Sequence, residues 1–172
     1  MSSVYDLTKE DIKKGIKLCL ENVKRLLDDA EAIIEKDNGS ISSGLYSYAV
    51  EETGRLLLLE KELTKTPNAD NKIAVDPKIF SDHFIKTDEF KDNNTIPDEC
   101  KNLRHVTGGI YNGSKLSGAL FATQKVDLWL RMKIFFLDWK DGAWVRHLDI
   151  ETSDLQMAIT GLRKWINKYT IS

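Results

Sequence analysis

Apolar residues return every three or four positions through Ile12, Ile16, Cys19, Leu20, Val23, Leu26, Leu27, Ala30, Ile33 and Ile34, the spacing of one face of an α-helix. Thr8 followed by Asp11 supplies a start signal near residue 9, an approximate capping box with Asp in place of the usual Glu, and Asn38-Gly39 supplies the stop. The stripe is one-sided, so this helix must bury it against a neighbour. A second helical pattern begins at about Ile41 or Ser43 and ends at Leu63 or Lys65, before Pro67. On it Leu45, Tyr48, Ala49, Glu52, Leu56, Leu59 and Leu63 share one face, and Leu57 and Leu58 carry the apolar character further round. A helix so apolar over its second half belongs at the centre of a bundle, and the short connection at 37–40 makes the first two helices an antiparallel pair.

Regularity fails between residues 66 and 101, where Pro67, Pro77 and Pro97 stand among Asn and Asp residues. Residues 77–87 form the exception and predict a short helix with Pro77 in its first turn. So long a connection is either a function-bearing insertion or a mobile loop. Residues 103–111 predict another short helix, and 115–132 a longer one carrying Leu116, Leu120, Phe121, Leu128 and Trp129. Aromatic and β-prone residues then surround a Lys-Asp-Gly turn, which predicts a small hairpin or extended excursion near 134–146. From Ser153 the helical pattern returns in Leu155, Ala158, Ile159, Leu162, Trp165, Ile166 and Tyr169. The expected architecture is an all-α bundle in a single domain over residues 1–172, without an internal repeat.

Composition narrows the function classes. With 41% apolar and 30% charged residues over 172 positions, the chain has the make-up of an ordinary globular domain. Lys and Arg number 25 against 27 Asp and Glu, a formal charge of −2, so the net-basic footprint of a duplex-DNA wrapper is missing. Cys19 and Cys100 lack metal-site or CxxC spacing and read as free thiols of a reducing compartment. The start MSSVYDLTKED has no basic region followed by an apolar run, and no segment reaches the roughly 20 apolar residues of a membrane span. A cytoplasmic location without membrane attachment is the expectation.

Three clusters carry chemistry. In SYAVEETGRLLLLE, Glu52 falls at the centre of the apolar face and Glu51 toward its edge, while Arg55 stands at i+3 from one and i+4 from the other. A carboxylate among leucines needs a cationic or hydrogen-bonding partner, a wet cleft or a proton. A structural Glu–Arg pair, a site-supporting group and a catalytic acid or base all satisfy that pattern. Gly54, inside the same helix, marks either a surface position or close approach by another element. In KIFSDHFIK, Asp82 and Lys86 are spaced i,i+4 beside His83, with Lys78 five residues before the histidine. His83 is able to move a proton near neutral pH, and Lys78, Lys86 or Arg55 to attract phosphate. In WLRMKIFFLDWKDGAW, Arg131 suits a phosphate contact or an ion pair with Glu51 or Glu52. Trp139 and Trp144 suit packing over a small hairpin, and a base-stacking platform exposes aromatics in the same pattern. His83, His105 and His147 are far apart, and HExxH, P-loop and GxGxxG signatures are all missing, so neither metal nor cofactor is expected.

Taken together, GLYSYAVEETGRLLLL at 44–59, DHFIK at 82–86 and LRMKIFFLDWKDGAW at 130–144 resemble the AbiV family of abortive-infection proteins, a branch of the helical HEPN superfamily. The likeness lies in a small residue, an Ala-x-Glu-Glu-like core, a Gly followed by a basic residue, then a His-Lys segment and an Arg-to-aromatic-Asp-Trp segment, spanning about 10–145. Glu51 and Glu52 fall on the family's paired glutamates, Arg55 on its usual lysine, His83 and Lys86 on its His-Lys segment, and Arg131 on its arginine. Phe136 stands where a Tyr-x-Asp-like segment has a hydroxyl, and Asp138 retains the acid.

The resemblance implies a HEPN-like bundle used in bacterial defence against phage, as a growth-stopping toxin. Many relatives in the superfamily are metal-independent ribonucleases whose Arg-x4-His motifs meet at a dimer cleft. This chain has no Arg-x4-His; Lys78 and His83 keep the separation without the guanidinium fork. The implied site comprises His83, Glu52 and Arg131 as catalytic groups, Arg55, Lys78 and Lys86 toward phosphate, and Glu51 and Asp82 in support. It implies a homodimer acting on RNA. The alternative is a non-enzymatic defence or regulatory protein that binds a phage or host protein, and a third reading leaves the clusters a role in stability alone.

Overall fold

A computed structural model of the protein describes residues 4–36, 39–101 and 152–169, together with the strand segments 105–106, 110–111, 114–115, 138–140, 143–145 and 149–150. The fold is an all-α helical bundle with an irregular stretch after the second helix and a small antiparallel hairpin.

Helix α1 (Lys9–Ile33) starts where the sequence predicts. Thr8 Oγ1 accepts from the Asp11 amide and Asp11 Oδ2 accepts from the Thr8 amide, each at 3.1 Å, so Asp completes the capping box in place of Glu. Its stripe from Ile12 to Ala30 is buried. Helix α2 (Ser40–Leu63) follows a turn whose last residue, Gly39, takes φ 78° and lets the chain reverse. Gly15 early in α1 lies against Leu59 late in α2, and Cys19 lies beside Glu52 and Arg55, so the two helices run antiparallel.

Helix α2 is covered on two sides, by α1 and by α4 (His83–Asp92). This explains why its apolar character runs round the cylinder, and it corrects the predicted face. Tyr46, Ala49, Val50, Leu56, Leu57 and Leu59 are buried, whereas Tyr48 is exposed and Leu45 and Leu63 are only partly covered. Each fully buried aliphatic side chain contributes about 1.5–3 kcal/mol of apolar transfer.

The irregular stretch is anchored rather than loose. Strand β2 (Ile73–Val75) pairs antiparallel with β1 (Tyr5–Leu7), with Ile73 and Val75 buried and Ala74 between them exposed, the period of two expected of a half-covered strand. Helix α3 (Lys78–Ser81) follows at once. The single helix expected over 77–87 is broken at Asp82, which takes extended backbone and caps α4 by accepting from the Phe84 amide at 2.8 Å. The capping bond leaves Asp82 at a helix start, not in an i,i+4 pair within one helix.

Helix α5 (Thr152–Lys168) closes the core with Leu155, Ala158, Ile159, Leu162 and Ile166, and Arg163 ties it to α1 through Asp28 and Glu31. A 3₁₀ turn (Asp98–Cys100) packs against α5, and the Tyr46 hydroxyl of α2 donates to the Cys100 carbonyl at 2.7 Å. The helix expected over 103–111 is replaced, where described, by strands β3 (His105–Val106) and β4 (Ile110–Tyr111), paired with β8 (Asp149–Ile150) and β5 (Ser114–Lys115). The predicted hairpin is present as β6 (Asp138–Lys140) against β7 (Ala143–Val145), with Trp139 opposite Trp144. Apart from Lys115, which is in β5, the helix expected over 115–132 lies outside the described residues.

Candidate functional site

The site is built where α4 crosses α2. Gly54 makes the crossing possible: a Cβ there would stand 1.8 Å from the Lys86 carbonyl oxygen, so any side chain would push α4 away. The close-approach reading of this glycine is the one the packing supports.

One turn before Gly54, Glu51 points at α4. It is 4% exposed, whereas Glu52 is rotated about 100° around the helix and only partly covered. The sequence placed Glu52 at the heart of the apolar face; the buried member of the pair is Glu51. Its Oε2 lies 2.6 Å from His83 Nδ1 and 3.7 Å from Lys86 Nζ. Lys86 is 1% exposed, so an ammonium and a carboxylate share an interior site, which is tolerable because each partners the other. The His83 side chain, by contrast, keeps 56% of its surface exposed.

Opposing influences act on the imidazole. Burial, then the Lys86 cation, hold its pKa below the ordinary histidine value, with Arg55 adding to this and Asp82 opposing it. A carboxylate at 2.6 Å pulls the other way. Lys86, 3.7 Å from the same carboxylate, offsets part of the Glu51 charge. In the neutral ring Nδ1–H donates to Glu51, which makes Nε2 the basic nitrogen. Lys86 is itself held below its usual pKa by burial first and then by Arg55.

On the neighbouring face of α2, Arg55 Nη1 meets Glu52 Oε1 at 2.8 Å and Nη2 donates to the Phe80 carbonyl at 3.3 Å. The same carbonyl takes Lys86 Nζ at 3.5 Å. Two cations therefore converge on one main-chain oxygen. Phe80 was not among the sequence-predicted site residues, because a backbone acceptor leaves no side-chain signal. Cys19 also touches the Glu52–Arg55 pair; burial first, and then Glu52, push its thiol up to about 12, so it stays protonated.

The structure thus brings Glu51, Glu52, Arg55, His83 and Lys86 into one neighbourhood. Asp82 supports it by capping the helix that carries His83 and Lys86. Lys78 is exposed on α3, and its amide is bonded to Asp76. Arg131 lies outside the described residues. Among the described residues no group of three or more His, Cys, Asp or Glu side chains is placed to hold a metal ion. Both cysteines are free thiols, and no described helix is long and apolar enough to cross a membrane.

No curated protein and no solved structure matches the chain. The family model for AbiV, within HEPN, matches residues 11–160 and so spans both helices of the Glu51–His83 crossing and the hairpin beyond it. The chain belongs to the AbiV family of the HEPN superfamily, a family associated with antiphage abortive infection.

Proposed function

We propose that this protein is an antiphage toxin that cleaves RNA without a metal, acting as a homodimer, with His83 as its proton-transfer group. The observation that carries the reading is the 2.6 Å contact between a buried Glu51 carboxylate and a half-exposed His83 ring. A carboxylate bonded to Nδ1 fixes the imidazole orientation and directs Nε2 outward as a base. In the proposed step Nε2 takes the proton of an RNA 2′-hydroxyl, the 2′-oxygen attacks the adjacent phosphorus, and the 5′-oxygen leaves with a proton returned by the imidazolium. The products are a 2′,3′-cyclic phosphate and a 5′-hydroxyl.

Arg55 and Lys78, which both reach solvent, offset the charge that builds on the phosphate, and Arg131 is the further cation proposed for that role. Lys86, being buried, acts through Glu51. Glu52 holds Arg55 in place. The test is incubation of the purified chain with total cellular RNA, with and without phage factors, alongside His83→Ala. Cleavage by wild type, lost in a folded His83→Ala chain together with phage protection, is the expected result. Intact RNA under conditions that restore toxicity rejects nuclease action.

A second reading rests on exposed apolar side chains: Leu18 is 55%, Tyr5 50% and Phe84 39% accessible. Such a surface suits recognition of a phage or host protein. Protection that survives His83→Ala but fails on substitution of these positions selects it.

A further inference from the structure

A groove of about 350 Å³ opens on the α1 side of the Glu52–Arg55 pair. Leu18 and Leu59 give it an apolar floor, Asn22, Glu52 and Arg55 a polar edge, and Phe80 an aromatic wall. The wall is braced: the Tyr5 ring meets Phe80 edge-on, with centroids 5.5 Å apart and planes at 73°, and β1–β2 pairing fixes the strand that carries Tyr5. The edge has polarity. Asn22 Oδ1 accepts from Arg25 Nη2 at 2.8 Å, so its amide presents NH₂ donors. Glu52 spends Oε1 on Arg55 at 2.8 Å and, as a carboxylate with about four lone-pair sites, retains acceptor capacity.

An aromatic face, an apolar floor and a donor next to an acceptor are the requirements of a nucleobase: any base stacks, and the edge selects among them. Position agrees with composition. Glu51 and Arg55 are one turn apart on α2, about 6 Å along the axis, and Arg55 and Lys86 share the Phe80 carbonyl, so the groove and His83 flank the same point.

We propose that this groove is the base-binding subsite of the RNA-cleaving centre, with an edge matched to guanine. Glu52 accepts from guanine N1–H and N2–H₂, Asn22 donates to O6, and the Phe80 ring covers one face. The sugar–phosphate runs past Arg55 toward His83. This assignment rests on the reading that His83 acts on RNA.

The experiment titrates the full-length chain separately with the 5′-monophosphates of guanosine, adenosine, cytidine and uridine, followed by calorimetry and protein NMR. Asn22→Ala, Phe80→Ala and Leu18→Arg, all at surface-accessible positions, are run beside wild type with circular dichroism as the fold control. Guanosine monophosphate is expected to bind at least tenfold more tightly than the other three, and each variant to weaken it tenfold or more. His83→Ala is expected to bind it as wild type does while losing RNA cleavage. If no mononucleotide binds, if all four bind alike, or if the groove variants bind unchanged, the subsite is overturned. If guanosine monophosphate binds in the groove while wild type leaves RNA intact, the groove stands as a guanine-binding site, and the cleavage reading falls together with the groove's place in a cleaving centre.

Discussion

Glu51 and His83 stand 32 positions apart in sequence and 2.6 Å apart in space, and the carboxylate is buried while the ring faces solvent. Such a pair transmits an interior charge to a surface group. Because Glu51 also holds Lys86, its removal has two effects that a substitution at His83 does not.

Glu51→Ala is therefore expected to lose about 3–5 kcal/mol of stability, the usual consequence of stranding a buried charge, here the ammonium of Lys86. Glu51→Leu combined with Lys86→Met removes both charges while filling the same space and is expected to cost less than half of that. Urea unfolding of the three chains checks the order; equal losses would show that burial volume, not charge pairing, sets the stability of the crossing.

Gly54→Ala should destabilise by at least about 2 kcal/mol, because overpacking at a tight contact forces backbone movement, and the methyl would fall 1.8 Å from the Lys86 carbonyl oxygen. It should also pull His83 from Glu51, so phage protection should fall further than stability alone explains. A chain that unfolds at the same urea concentration as wild type would sink the close-packing account.

His83 is held below its ordinary pKa, so the unfolded chain binds the proton more readily than the folded one. Stability from this group is then present above the unfolded value of about 6.5 and is lost as pH falls below it and through the folded value. His83→Asn should flatten the difference between pH 7 and pH 5. An NMR titration of the ring should give a midpoint under the free-histidine value, and Lys86→Met, by removing the neighbouring cation, should move it upward.

Tyr46→Phe removes the 2.7 Å bond to the Cys100 carbonyl in a fully buried setting and is expected to cost about 1–3 kcal/mol. Lying apart from the Glu51–His83 contact, it should lower the melting temperature and leave the His83 titration unmoved. A shift in that titration would mean that the Tyr46–Cys100 bond and the Glu51–His83 contact are coupled along α2.

Much of the bundle was legible in the chain. One-sided stripes in α1 and α5 and the capping pair Thr8–Asp11 each contain their own explanation, because the helix, its buried face and its start are local facts. The pairing of β6 with β7 is equally local. Harder were β1 and β2, which exist only as partners of each other across 66 to 70 positions, Tyr5 to Val75 at one end and Leu7 to Ile73 at the other. Asp82 is ambiguous in sequence for a subtler reason: its spacing from Lys86 fits one helix, but its carboxylate bonds the next amides and starts another.

By itself the sequence determined that helix two is central, that acid and base gather at 51–55 and 82–86, and that Gly54 is out of place in a helix interior. Only the tertiary structure decided which glutamate is the buried one. Glu51 and Glu52 differ by about 100° around the axis, and periodicity identifies the inner face of a helix only when one side is covered. Helix α2 is covered on two, by α1 and by α4, so the choice fell to the partner that arrives from the irregular stretch, carrying His83 and Lys86 to Glu51 and leaving Glu52 to Arg55.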